Sequence, residues 1–287
     1  MQYPDAIEQF RVYQHSLDLT ENTIHAYRND LLFFSKYLSD TYNYTPYLTD
    51  VTTEDFENYL SHLKDRLGYT AASRKRKLAV FRTFMNFCMK KKYTFTNPAV
   101  LVDSIKVKHQ ERLYLDEKEV MQIIENITHP LVKLVVFTLY YTGMRISECI
   151  HLKLNDVHFE RNEIRVVDGK GKKERLIPIS HKLLPHIKQY KEHVRPYTKS
   201  DNFFCTATSG GISAPYVNRL LCEATRQLGW SLHVTCHTMR HAFASNLVKR
   251  NIHVVQIQKL LGHTSLTTTS IYTHAKFEDL ALAVNQL

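Results

Sequence analysis

Through residues 1–92 apolar side chains recur three and four positions apart, the spacing of one helix face. "DAIEQFRVYQHSL" (5–17) and "ENTIHAYRNDLLFFSKYLSD" (21–40) both carry it. In the second, Ile24, Tyr27, Leu31, Phe34 and Leu38 form the stripe, with Thr20 and Thr23 as a cap and first turn. "TTEDFENYLSHLKDR" (52–66) predicts a third helix, N-capped by Thr53, with acids in its first turn. "AASRKRKLAVFRTFMNFCMKKK" (71–92) predicts a fourth, whose apolar face is Leu78, Phe81, Phe84 or Met85, and Cys88.

The pattern breaks at Asn97-Pro98, a turn signal. Residues 96–112 are polar, basic and weakly periodic, and read as an interdomain linker. Helical spacing returns in "LDEKEVMQIIENI" (115–127), capped by Asp116, and in the apolar "PLVKLVVFTLYYTG" (130–143). Residues 163–179 change period. "EIRVV" and "ERLIPI" are short strands around "DGKGKK", a hairpin with Gly169 and Gly171 in its loop. Helices resume at 182–194, 214–229 and 254–261. The expectation is two domains, 1–95 and 113–287, joined by the linker. The fold class is mainly α, with a small antiparallel β-sheet in the second domain.

Charge gives the first hint of a partner. Net charge is +10, but residues 1–63 hold 3 Lys/Arg against 10 Asp/Glu, whereas residues 64–112 hold 13 against 3. A run such as Arg74, Lys75, Arg76 and Lys77 is often only a solvated helix face. Here aromatics interleave (Phe81, Phe84, Phe87, Tyr93) and the whole segment is biased, which favours a polyanion, most simply nucleic acid. The longest apolar run, 131–143, contains Lys133 and is too short to cross a bilayer. The N-terminus is acidic and lacks a signal-peptide core. Five cysteines without a CxxC pair suit a reducing cytoplasm and no structural zinc.

Four stretches carry candidate chemistry. "TGMRISE" (142–148) ends an apolar helix at Gly143 and presents Arg145. "DGKGKKER" (168–175) sets Lys170 between glycines. "HTMRH" (237–241) puts His237 and Arg240 one helical turn apart. "LGHTSLTTTSIYTHA" (261–275) supplies His263 and, nine residues on, Tyr272. Singly, each has a bland reading as a cap, an ion-pair partner or an exposed loop residue. A zinc helix needs Glu after the first His, where Thr238 stands, and the GxxxxGK[ST] of a P-loop is absent. Together they suit a phosphodiester. Arginine forks grip non-bridging oxygens, Lys or His moves protons, and Tyr is an oxygen nucleophile. No carboxylate cluster offers to hold two metals.

The order Arg, Lys, HxxR, LGH and Tyr, with "NPA" before the linker, "GKGKKERLIPI" and "IYTH", resembles the tyrosine recombinase (phage integrase) family, especially its compact Xer-like members. The resemblance covers nearly the whole chain. It implies an N-terminal helical core-binding domain and a catalytic domain closing as a C-shaped clamp on duplex DNA. It also implies strand exchange through a 3′-phosphotyrosyl intermediate, with no cofactor, metal or ATP. Arg145 and Arg240 would clamp the scissile phosphate and Lys170 would protonate the leaving 5′ oxygen. His237 would serve Tyr272 as acid and base, His263 would hydrogen-bond a phosphate oxygen, and Glu148 would support the site. Arg74, Lys75, Arg76 and Lys77 would contact DNA. Met144 and Met239 stand where the family commonly has leucine, a volume-conserving departure. The implied partners are DNA with inverted-repeat half-sites and a homo-tetramer on two such sites, with a second recombinase or accessory protein left open. The tail adds an amphipathic stripe, Phe277, Leu280, Ala281, Val284 and Leu287, suited either to packing on its own domain or, as the resemblance implies, to exchange between protomers. Type IB topoisomerase-like relaxation and DNA binding without catalysis are the rival readings. The implied setting is integration, excision, or resolution of dimers or cointegrates.

Overall fold

In the computed structural model, which describes residues 1–107, 114–167 and 174–262, the chain divides into two compact units, Met1–Glu111 and Arg112–Leu287. The first is helical: α1 (Tyr3–Ser16), α2 (Glu21–Tyr42), α3 (Thr53–Asp65), α4 (Ala71–Lys90) and the single turn α5 (Pro98–Leu101). Its core is aromatic. Phe34 meets Phe56 and Phe81 at ring-centroid distances of 4.7 and 4.8 Å, and Tyr3, Phe10 and Phe84 continue the cluster. The predicted face of α4 is buried at every position, Leu78, Phe81, Phe84, Met85 and Cys88.

The N-cap of α3 is Thr52 rather than Thr53. The Thr52 hydroxyl accepts from Asp55 N, and the Asp55 carboxylate accepts from Thr52 N at 2.8 Å, a reciprocal capping box. Residues 98–102, expected in the linker, belong to the first unit. Ala99 and Val102 are buried in its core. Arg82 of α4 donates to the carbonyls of Ala99 (3.1 Å) and Val102 (2.5 Å), and Asn97 donates to Arg82 O. The two Arg82 bonds satisfy carbonyls in and just after a one-turn helix that has no successor turn to do so.

The second unit holds α6 (Glu117–Glu125), α7 (Pro130–Thr142), α8 (Ile146–Ile150), α9 (Leu184–Gln189, continued by a wider π-type turn to Val194), α10 (Ala214–Gln227), α11 (Cys236–Lys249) and α12 (Val254–Leu261). Asp116 caps α6 in a box with Glu119. The two predicted strands are β2 (Glu163–Val167) and β3 (Glu174–Pro178). A two-residue strand β1 (Val157–His158), which the sequence did not announce, extends the sheet in the order β1-β2-β3, all antiparallel. Its core-facing positions, Val157, Ile164, Val166 and Ile177, are buried in the same cluster as Val132, Val135, Val136 and Leu139 of α7. No described helix is long and apolar enough to cross a membrane.

Lys77, expected on a phosphate-facing surface, is instead buried. Its Nζ lies 2.5 Å from Asp30 on α2, with the Lys77 side chain only 5 % exposed, and Phe33 and Tyr69 flank the ammonium. Helical period explains the correction. Lys77 stands four residues before Phe81, on the buried stripe, so only a buried carboxylate could hold it there. Arg76, 55 % exposed, shares that carboxylate at 2.7 Å. Asp30→Ala would leave Lys77 charged and uncompensated in the core. A loss of about 3–5 kcal/mol is expected, read as a lowered urea midpoint. The double variant Asp30→Leu/Lys77→Met should recover most of it. Equal losses in both variants would mean that packing, rather than charge pairing, holds this contact.

Candidate active site

The described part of the site is built where α7 ends. Gly143 closes that helix at φ +64°, its N–H donating to Leu139 O. A side chain here would be strained, and a Cβ would overlap the Phe243 ring of α11 and the Leu261 side chain of α12. That close approach lets three helices meet. Arg240 of α11, itself buried, donates from Nη1 to Gly143 O (2.5 Å) and from Nη2 to Leu261 O (2.7 Å).

Two residues past Gly143, Arg145 occupies the N-cap of α8. Glu148, one turn on, accepts from Arg145 N at 2.7 Å and from Arg145 Nη1 at 2.8 Å. The same carboxylate accepts both terminal nitrogens of Arg175 on β3, at 3.0 and 2.7 Å. Arg175 Nε then donates to Leu260 O at 2.9 Å. The last carbonyls of α12 thus face two guanidiniums, the favourable charge for a helix C-terminus. Gly262 closes the helix at φ +68°, and its φ and the nearby Arg175 side chain both disfavour a larger residue.

Burial alone would raise the Glu148 pKa. The hydrogen bonds and charge of Arg175, with the backbone N–H and charge of Arg145, outweigh it and hold the carboxyl below its ordinary value. Glu148 is therefore ionised at neutral pH, and both arginines keep their counter-charge.

α11 begins at Thr235, which forms a reciprocal cap with Thr238, Thr235 N donating to Thr238 Oγ1 at 3.1 Å. Thr238, where a zinc helix would carry Glu, is thus a capping residue. His237 is exposed beside it, its ring edge-on to His241 at 4.3 Å. Cys236, adjacent to His237, is no rival nucleophile, because burial pushes its thiol up to about 12. Burial, with the charge of Glu117, likewise moves the Tyr140 phenol to about 12, against a hydrogen bond from Asn246. Among the described residues no group of three His, Cys, Asp or Glu could hold a metal ion.

Arg145, Glu148 and Arg240 therefore belong to one connected network, with His237 on the same helix as Arg240. Lys170, His263 and Tyr272, and the tail stripe, lie outside the described residues. In the first unit Lys75 and Arg76 are exposed and Arg74 is half-buried. Arg175 escaped the sequence reading. Its signal was period two: it shares a strand face with Ile177 and pairs with buried Val166, and a charged side chain on that face requires a partner.

Comparison with known proteins agrees over both units. The model of the phage integrase family matches residues 113–279, and that of the phage integrase N-terminal SAM-like domain matches residues 7–92. Tyrosine recombinase XerD of Staphylococcus aureus is 30% identical over 290 residues, covering 97% of this chain and 96% of its own. A lambda integrase dimer bound to a COC' core site shares the fold at TM-score 0.78 and 20% identity, covering 93% of this chain and 97% of that one. A lambda integrase tetramer bound to a Holliday junction does so at TM-score 0.78 and 19% identity, covering 96% and 80%. With both domain models matched and a relative aligned almost end to end, the chain belongs to the phage integrase family, the tyrosine recombinases that cleave and rejoin DNA.

Proposed function

We propose that this chain recombines duplex DNA at specific sites, with Tyr272 as nucleophile and Arg145, Lys170, His237, Arg240 and His263 as its catalytic partners. The observation that carries the reading is the shared network. Arg240 and the Arg145–Glu148–Arg175 cluster converge on the end of α12, two and three residues before His263. A phosphate bound there would meet two guanidiniums whose positions are fixed beforehand, the arrangement that stabilises an anionic transition state.

In this mechanism the Tyr272 oxygen attacks the scissile phosphorus as His237 takes its proton. The P–O5′ bond breaks, and Lys170 gives a proton to the departing 5′ oxygen. Arg145, Arg240 and His263 neutralise the non-bridging oxygens. Attack by the 5′ hydroxyl of a second strand reverses the step and frees Tyr272. The phosphotyrosyl bond conserves the energy of the broken one, so the cycle needs no nucleotide or metal cofactor.

Residues 1–95 act in this proposal as the DNA-binding domain and 113–287 as the catalytic domain. The linker between them is shortened by the five residues that pack into the first unit. The two would close on DNA as a clamp. Lambda integrase has been seen as a tetramer on a Holliday junction. By analogy, four copies of this chain would hold two sites with inverted half-sites, and the apolar tail stripe would dock on a neighbouring copy. The setting is the cytoplasm.

Three measurements test this. A site selected from random duplexes by the Tyr272→Phe protein, then nicked as a suicide substrate, should trap the wild-type chain covalently and leave Tyr272→Phe bound but unattached. An adduct in the variant would identify a different tyrosine, and an adduct without exchange between paired sites would favour the topoisomerase reading. Lys170→Ala should slow cleavage by roughly 10²–10⁴-fold. A 5′-bridging phosphorothiolate, whose leaving group needs no proton, should restore most of that rate. Equal slowing on both substrates would make Lys170 a positioning group. Finally, alanine at Arg74, Lys75 or Arg76 should each flatten the slope of log K against log salt by about 1, while Lys77→Ala should not. Unchanged slopes at all three exposed or half-exposed positions would return the run to a solvated helix face.

A further inference from the structure

Arg175, like Arg240, ties distant elements of the second unit together, but it does so through a buried carboxylate. One guanidinium joins three separate elements: it forks onto Glu148 of α8 with two hydrogen bonds and donates a third to Leu260 O at the end of α12, while its own backbone belongs to β3. The side chain is 11 % exposed and its carboxylate partner 6 %, so the contact is shielded from competing water. Gly262 leaves the room for it. A Cβ there would stand 3.1–3.2 Å from Arg175 Cδ, Nη1 and Nε, tighter than ordinary packing.

Each of these contacts lies a few residues from a group assigned above to the chemistry. Glu148 fixes Arg145 by side chain and by backbone. Leu260 precedes His263 by three residues, and Arg175 follows Lys170 by five. All three guanidinium nitrogens of Arg175 are committed to Glu148 and Leu260 O. Its chemistry is that of a clamp on other groups.

We propose that Arg175 is a positioning residue for phosphoryl transfer, acting through Glu148 on Arg145 and through Leu260 on the end of α12. The proposal rests on the recombinase reading above. Lysine cannot replace it: a single ammonium lacks the planar fork needed to meet both carboxylate oxygens and a carbonyl at once. Misplacing a phosphate clamp by about an ångström is enough to slow chemistry by on the order of 10²-fold.

The test uses full-length wild-type, Arg175→Lys and Arg175→Gln proteins and the nicked suicide substrate. It reads single-turnover adduct formation beside half-site affinity and circular dichroism. Adduct formation should fall by on the order of 10²-fold in Arg175→Lys, with half-site affinity retained. Combining it with Glu148→Gln should add little further loss, because the two residues act as one unit. The decisive arm is a scissile methylphosphonate, which lacks the non-bridging charge that Arg145 neutralises. On that substrate the Arg175→Lys defect should shrink, because the group it positions has less to do. An equal defect on both substrates, wild-type rates in both variants, or loss of half-site binding in step with loss of cleavage would each overturn the positioning role. The two readings fail separately. Absence of any Tyr272 adduct in the wild-type chain removes the recombinase reading, whereas a wild-type adduct formed equally well by Arg175→Lys removes only this inference.

Discussion

A carboxylate taken out of water is destabilised by several kcal/mol unless opposite charges and hydrogen-bond donors meet it. Glu148 meets four donors from two arginines. The rest of the second unit's site depends on that arrangement. It sets the N-cap of α8, orients Arg145, and turns Arg175 toward the end of α12. Because the arginines outweigh burial, the carboxyl stays ionised wherever the protein is folded at neutral pH. The contribution of this group to stability is present above the ordinary carboxylate range. It is lost only as pH falls through the lowered folded-state value.

The first unit repeats the device. Asp30 is buried between Lys77 and Arg76 as Glu148 is between Arg175 and Arg145. In each case one cation is almost fully enclosed and the other is about half exposed: 5 % against 55 % for Lys77 and Arg76, 11 % against 41 % for Arg175 and Arg145. The enclosed cation anchors the carboxylate to the core. The exposed one is held at a fixed place on the surface by a charge it cannot leave. Both exposed members are residues that the proposed function sets against DNA phosphates.

The helices and their buried faces were legible because period 3.6 shows in Leu78, Phe81, Met85 and Cys88 without knowledge of the partner. The hairpin was legible from its change of period and its glycines. What escaped depends on contacts distant in sequence. Lys77 and Asp30 are 47 residues apart and Arg175 and Glu148 are 27, so no local pattern names the pairing. The faces those cations occupy were nevertheless written in the spacing. Lys77 lies on the stripe of Phe81, and Arg175 on the strand face of Ile177. The adjacent threonines at the start of α3 were likewise distinguishable, since only Thr52 has an acid three residues on. The two-residue strand β1 is too short to carry a period of its own.

An excess of cations does not by itself make a phosphate site. Arg82 is engaged with the carbonyls of Ala99 and Val102, Arg240 with those of Gly143 and Leu261, and Lys77 with Asp30. A chain of net charge +10 that left such groups side by side without counter-charges would repel itself at the sites where it must hold still. Buried carboxylates and helix-end carbonyls remove that repulsion before any DNA arrives. In the proposed function the guanidiniums would then need little reorganisation when a phosphate becomes more negative during reaction, and this is the condition under which fixed charges lower a barrier. The same contacts that hold the fold would therefore prepare the proposed chemistry, because the groups that end α7 and α12 are also the groups that orient the arginines.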